Sequence, residues 1–192
     1  MKRPFSSDTQ RPDEKFGLKG HLYLVGFMGS GKSTVGPVLA GQLGRSFVDL
    51  DDLIVDAAKM DIPRIFDLRG EAHFRELETG MLAEVRDREP AVVALGGGAF
   101  SQAPNRDLIF KSGIAVTLRI PLELAWLRST QMDNRPLARD RNQFEALYRK
   151  RQPDYDLADL KVGVSGRSPE QICRLIRDRL ETVHRNPDEA RR

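Results

Sequence analysis

The stretch Gly26-Phe27-Met28-Gly29-Ser30-Gly31-Lys32-Ser33-Thr34 decides the fold. It matches G-x-x-x-x-G-K-[ST] and stands where that pattern has physical meaning, between a short apolar run and a helical one. Upstream, His21-Leu22-Tyr23-Leu24-Val25 reads as a buried strand ended by Gly26. Downstream, Val35, Val38, Leu39 and Leu43 recur at helical spacing, and Gly44 supplies the stop. Glycines in the loop let successive backbone N–H groups turn inward around a phosphate, and the helix N-terminus adds its positive end. Gly29, Ser30, Gly31, Lys32, Ser33 and Thr34 are therefore the expected ATP-binding residues. Lys32 would reach the β- and γ-phosphates, and the Ser33 hydroxyl would ligate Mg²⁺. No N-K-x-D guanine-specificity sequence is present, which favours ATP. Pro37 removes the amide that would bond the Ser33 carbonyl, which predicts a bend over residues 33–37.

The rest of the chain repeats the strand–helix alternation. Ser46-Phe47-Val48-Asp49-Leu50, Ala91-Val92-Val93-Ala94-Leu95, Ile114-Ala115-Val116-Thr117-Leu118 and Leu160-Lys161-Val162-Gly163-Val164 read as four further strands. From Ile62 to Arg86 the apolar spacing fits two helices broken at Gly70. The final helix carries a full start signal, with Ser168 as N-cap, Pro169 at the first helical position and Gln171 at the third. Its apolar face is Ile172, Leu175, Ile176 and Leu180, and Cys173 on the neighbouring stripe reads as packing. Alternating strands and helices argue for an α/β fold, a parallel sheet covered on both faces.

Composition narrows the class. The 192 residues suit one domain, large enough to bury a core without disulfides or structural metal. One cysteine points to a reducing compartment, and no apolar run approaches a membrane span or a secretory signal. The polar, proline-bearing residues 1–18 and the tail 186–192 read as loose extensions around a domain spanning 19–185. Net charge is only +3, yet 23 of the 31 basic residues are arginine. Either these make a mildly basic surface, or some clamp carboxylates or phosphates, which the planar guanidinium fork suits. Aromatic content of 7%, with no recognisable nucleic-acid motif, argues against a nucleic-acid partner.

Phe47-Val48-Asp49-Leu50-Asp51-Asp52 puts carboxylates at the end of the second strand, the edge that faces the ligand crevice in open α/β sheets. If the strand persists, alternation sends Asp49 and Asp51 to one face. Beside a triphosphate they divide the work: one holds Mg²⁺ through water, the other accepts a proton from an attacking hydroxyl. Asp52 reads better as the cap of the following helix. Gly96-Gly97-Gly98 follows the third strand, and a backbone without Cβ can approach a substrate hydroxyl and the γ-phosphate.

The phosphate loop, F-x-D-x-D-D, G-E-x-x-F-R-x-x-E over 70–78, G-G-G, R-P-L over 135–137 and R-x-P-x-Y over 151–155 together resemble shikimate kinase. The resemblance covers about residues 20 to 183, and the order and spacing of the motifs make it specific. It implies the nucleoside-monophosphate-kinase type of P-loop fold, a five-stranded parallel sheet flanked by helices. Substrate-binding helices would occupy about 51–88 and a lid about 129–142. It implies transfer of a phosphoryl group from ATP, with one Mg²⁺, to the 3-hydroxyl of shikimate, within aromatic amino-acid biosynthesis. The partners would be ATP and shikimate, and the enzyme a cytoplasmic monomer.

Residue by residue, the resemblance makes Asp51, Lys32 and Arg135 catalytic and Ser33 and Asp49 the metal site. Arg75 and Arg151 would grip the shikimate carboxylate from two sides, Glu78 would orient Arg75, and Gly97 and Gly98 would contact the substrate. Arg135 would close over the ATP phosphates, and Arg167 would stack on adenine. The chain departs from the pattern at Pro37, at Ala138 after R-P-L, and at Asp154, where the family has an apolar residue.

Overall fold

The structure, a computed structural model, describes residues 18–131 and 140–185. Residues 1–17 of the expected extension, the tail 186–192 and lid residue Arg135 lie outside the described residues. Five strands form one sheet in the order β2-β3-β1-β4-β5: β1 (His21–Val25), β2 (Ser46–Asp49), β3 (Ala91–Ala94), β4 (Gly113–Arg119) and β5 (Leu160–Gly163). Every pairing is parallel, with Tyr23 of β1 beside Val93 on one side and Ala115 on the other. β1 is buried along its whole length, as a central strand covered on both faces must be.

Among the described residues seven helices fill the connections: α1 (Lys32–Leu43), α2 (Leu50–Ala58), α3 (Ile62–Arg86), α4 (Ala103–Ser112), α5 (Leu122–Thr130), α6 (Arg141–Tyr155) and α7 (Pro169–Arg185). Strand order reverses at β1, whose neighbours β3 and β4 come later in the chain. Ligands bind in the crevice at such a switch point, beyond the carboxyl ends of the strands. The phosphate loop leaves β1 and the glycine triplet leaves β3 at that crevice.

Most boundaries follow local chemistry. Gly44 ends α1 in the left-handed region at φ 66°, with its N–H on carbonyls of the last turn. Gly70, at φ 78° and ψ 172°, leaves the helical region and divides α3 where the break was expected. At α7 the Ser168 N–H donates to Gln171 Oε1 at 2.8 Å and the Gln171 N–H to Ser168 Oγ at 3.3 Å, a reciprocal capping box. Cys173 is fully buried against α1, and burial raises its thiol pKa to about 11, so it packs rather than reacts.

Two expectations are corrected. α1 runs as one element from Lys32 to Leu43 with Pro37 inside it, so the bend predicted over 33–37 does not interrupt the helix. Pro37 and Ser33 both lie on the exposed face, where water can take the carbonyl that proline leaves unbonded. β2 stops at Asp49, and Leu50 already belongs to α2. Strand alternation therefore does not govern Asp51.

His21 joins the sheet to the end of α3. Its Nδ1 accepts the Ala91 N–H at 3.1 Å, which leaves Nε2 to donate to the Arg86 carbonyl at 3.3 Å. Burial, opposed by the Arg86 bond and aided by Arg45, lowers its pKa, so the folded state holds the neutral ring. Between the lowered folded pKa and the unfolded value near 6.5, the unfolded chain binds more protons. Stability should then be full above pH 6.5 and decline as pH falls below it. His21→Leu should remove that decline and leave the buried Ala91 N–H without its partner, at a cost of about 1–3 kcal/mol. Thermal melts of both proteins between pH 5 and 8 check it.

Candidate active site

The phosphate loop is folded around the position a phosphate would take. Gly29 and Gly31 sit at φ 78° and 92°, values that side chains rarely tolerate. A Cβ on Gly29 would also press on the Ala125 carbonyl and on Arg128 and Ser129 at 3.2–3.3 Å, so α5 closes the loop from behind. Lys32 Nζ donates to the Gly26 and Phe27 carbonyls at 2.8 and 3.4 Å, which holds the ammonium across the mouth of the loop. Ser30 is buried, and Thr34 is the third residue of α1. Arg128 Nη1 donates to the Gly29 carbonyl at 3.1 Å; nothing in its spacing announced that contact.

Ser33 Oγ donates to Asp49 Oδ2 at 2.8 Å. The other Asp49 oxygen caps α2 by accepting the Asp51 N–H at 3.2 Å. The cap role expected of Asp52 therefore belongs to Asp49, one turn earlier. Burial, with the negative charges of Asp49 and Asp56, raises the Asp52 carboxyl. Among the described residues no cluster of three or more His, Cys, Asp or Glu exists to cage a metal. A hydroxyl beside one carboxylate fits Mg²⁺, which takes few protein ligands and several waters and phosphate oxygens.

The first turn of α2, rather than a strand, delivers Asp51 to the crevice. Its Oδ1 lies 2.7 Å from where a Cβ on Gly96 would stand, and Glu78 Oε1 lies 2.9 Å from the same point. Gly97 is likewise 3.0 Å from Arg151 Nη1, and Gly98 is 2.6–2.8 Å from the Arg75 guanidinium. The triplet thus accommodates these groups in turn: two carboxylates at Gly96, Arg151 at Gly97 and Arg75 at Gly98. The triplet is a floor, and side chains would lift what rests on it.

Arg75 Nη1 donates to Glu78 Oε2 at 2.8 Å, as expected, and Nη2 to Glu71 Oε1 at 3.0 Å. Glu71 was not anticipated, although its i,i+4 spacing to Arg75 was visible. Burial opposes the Arg75 charge, but Glu78 and Glu71 together raise its pKa. Glu78 is fully buried; burial raises its carboxyl against the pull of Arg75, with Asp51 pushing the same way as burial. Arg151 sits over the Phe27 ring, 5.9 Å from its centroid. Beside it the buried Tyr155 hydroxyl donates to the Gly97 carbonyl at 2.6 Å. Burial raises that phenol to about 12, so it stays a donor.

Arg167 stands apart. It lines an open depression of about 320 Å³ with Arg119, Pro121, Tyr148 and Gln152, and no phosphate-loop residue contributes to that lining. Its guanidinium bonds the Gly163 and Ser165 carbonyls of its own loop.

The floor makes a prediction. Gly96, Gly97 and Gly98 all lie outside the positive-φ region, so alanine is tolerated by the backbone there. Gly98→Ala should fold, because the group it meets is the far end of a long side chain. Displacing the Arg75 guanidinium should raise the KM for a carboxylate substrate by about tenfold and leave the KM for ATP unchanged. Equal shifts in both constants would refute it.

The comparisons with known proteins converge. The family model described as shikimate kinase matches residues 28–181. A shikimate kinase of Persephonella marina is 39% identical over 161 residues, covering 83% of this chain and 98% of its own. One from Rhizobium leguminosarum bv. trifolii is 43% identical over 145 residues, 74% of each chain. Among solved structures, shikimate kinase from Acinetobacter baumannii in complex with shikimate superposes with a TM-score of 0.82 at 37% identity, covering 91% of this chain and 98% of that one.

Proposed function

We propose a residue-level mechanism from one premise: the chain belongs to the shikimate kinase family and is a small-molecule kinase. The reaction moves the γ-phosphoryl group of ATP to shikimate. ATP phosphates lie on Gly29 to Thr34, with Lys32 swinging from the loop carbonyls onto the β- and γ-oxygens. The shikimate carboxylate lies between Arg75 and Arg151, above Gly97 and Gly98. That clamp turns the 3-hydroxyl toward Asp51, which accepts its proton as the oxygen attacks the γ-phosphorus in line and the bond to ADP breaks. Ser33 and Asp49 would hold Mg²⁺, which supplies charge neutralisation at the phosphates. Arg135, outside the described residues, adds a cation to the transferring group. Arg167 is assigned to the adenine side, at the carboxyl end of β5.

The observation that carries the reading is the glycine floor, which supports the Asp51 and Glu78 carboxylates at Gly96 and the two arginines at Gly97 and Gly98. A small anionic alcohol is the substrate such a site can orient. Residues 19–185 form the catalytic unit, working as a cytoplasmic monomer with ATP and shikimate as its only partners, in keeping with the family. Among the described residues no helix is long and apolar enough to cross a membrane. The test is ADP release on adding shikimate, with gluconate and nucleoside monophosphates as controls. Release with a control and none with shikimate would overturn the assignment.

A further inference from the structure

Gln102 and Arg106 stand one turn apart at the start of α4, and they reach opposite halves of the clamp. Gln102 Nε2 donates at 3.0 Å to Glu78 Oε2, the oxygen that also takes Arg75 Nη1. Arg106 Nη1 donates to the Phe100 carbonyl at 2.9 Å and pairs with Asp154 Oδ1 at 3.5 Å. Asp154 lies three residues after Arg151 and next to Tyr155, whose hydroxyl holds the Gly97 carbonyl. The two contacts are tied together by a short, buried route. A 3-10 turn over Ala99–Ser101 joins the glycine floor to α4, and Ala99 and Phe100 are fully buried. Buried Asn105 braces that turn by donating to the Ala99 carbonyl at 3.1 Å.

The arrangement is a crossbar. α3 carries Arg75 and α6 carries Arg151, and the sequence separation between them leaves their spacing to tertiary contacts. We propose that Gln102 and Arg106 are positioning residues that set the separation of the two guanidinium groups, and through it the selectivity for a ring bearing a carboxylate. The inference rests on the kinase reading above. Asp154 stands where the resemblance stated above calls for an apolar residue. Arg106 and Asp154 are only 17% and 28% exposed, where screening is weaker than at the surface.

The experiment uses the full chain and two acceptors, shikimate and its carboxamide analogue, with KM and kcat measured for each and KM for ATP alongside. In Gln102→Leu, Arg106→Met and Asp154→Asn the KM for shikimate should rise about tenfold, while kcat and the KM for ATP stay within about twofold. The analogue, which has no carboxylate to grip, should lose nothing, so discrimination between the acceptors falls. The reversed pair R106D/D154R should recover part of the loss if the bond itself matters. An unchanged shikimate KM overturns the proposal, and so does a parallel rise for shikimate, analogue and ATP, which is general loosening. If Arg106→Met does not fold, Arg106→Lys and Asp154→Asn separate the same two outcomes. A wild-type protein that releases no ADP with shikimate overturns the kinase reading first, a result no variant can mimic.

Discussion

Asp51→Asn should fold, bind ATP as before and lose about 10²–10⁴-fold in turnover. The substitution keeps the shape of the side chain and removes only its ability to take a proton. α2 survives because its cap is Asp49, whose Oδ1 accepts the Asp51 main-chain N–H whatever the side chain at 51. Losing a negative charge in the first turn of a helix costs about 0.3–1 kcal/mol, too little to unfold the domain. ATP binding should be spared because the proposed phosphate site is the loop after β1 with Lys32, on a different strand end from Asp51. Asp49→Asn should show the opposite pattern. Asparagine still caps the helix, but the Ser33–Asp49 pair loses its charge, so the demand for Mg²⁺ should rise while proton acceptance remains. A coupled ADP-release assay, paired with nucleotide binding by calorimetry, separates the two. Turnover near wild type in Asp51→Asn would remove Asp51 from its role.

The placement of these two aspartates shows what local sequence encodes and what it does not. The phosphate loop, the five strands and the Gly70 break are local features: a glycine in the left-handed region or a buried apolar run leaves its mark within a few residues. Ser33 and Asp49, which the resemblance makes the metal site, stand hydrogen-bonded where the loop after β1 meets the end of β2. Asp51 was assigned to the crevice for a reason that did not survive. β2 ends two residues short of Asp51, and the start of α2 turns the side chain there instead. Asp52 does not cap α2 for the same reason: the helix already starts at Leu50, so its cap is Asp49. Glu71 was within reach of helical spacing. Gln102, Arg106 and Arg128 were not, because their partners lie 24, 48 and 99 residues away and no local pattern encodes such pairings. Pro37 misled because local helix rules do not know which face will be exposed.

The second large effect is Arg75→Met, which acts on substrate and fold at once. One half of the carboxylate clamp is lost, and charge-assisted bonds of that kind contribute about 1.5–3 kcal/mol each, so the KM for shikimate should rise by about 10²-fold. Gln102 remains on Glu78 Oε2, but the only cation bonded to that buried carboxylate among the described residues is gone. Burial already raises the Glu78 pKa, and Arg75 is the strongest influence lowering it; without Arg75 the folded pKa climbs further. A raised carboxylate pKa means that the folded state holds the proton longer than the unfolded chain does. Its contribution is fully present below the unfolded value near 4.5 and is lost as pH rises through the folded pKa. Arg75→Met should therefore be close to wild type in thermal stability near pH 4.5 and fall progressively behind it toward pH 8. Arg75→Met/Glu78→Gln should abolish that pH-dependent gap while leaving the shikimate KM high, because the neutral amide repairs the burial and not the grip. A gap that persists in the double variant would mean that Arg75 stabilises the fold through contacts other than Glu78. A shikimate KM that returns to normal would mean that Arg75 only neutralises Glu78 and that Arg151 alone holds the substrate.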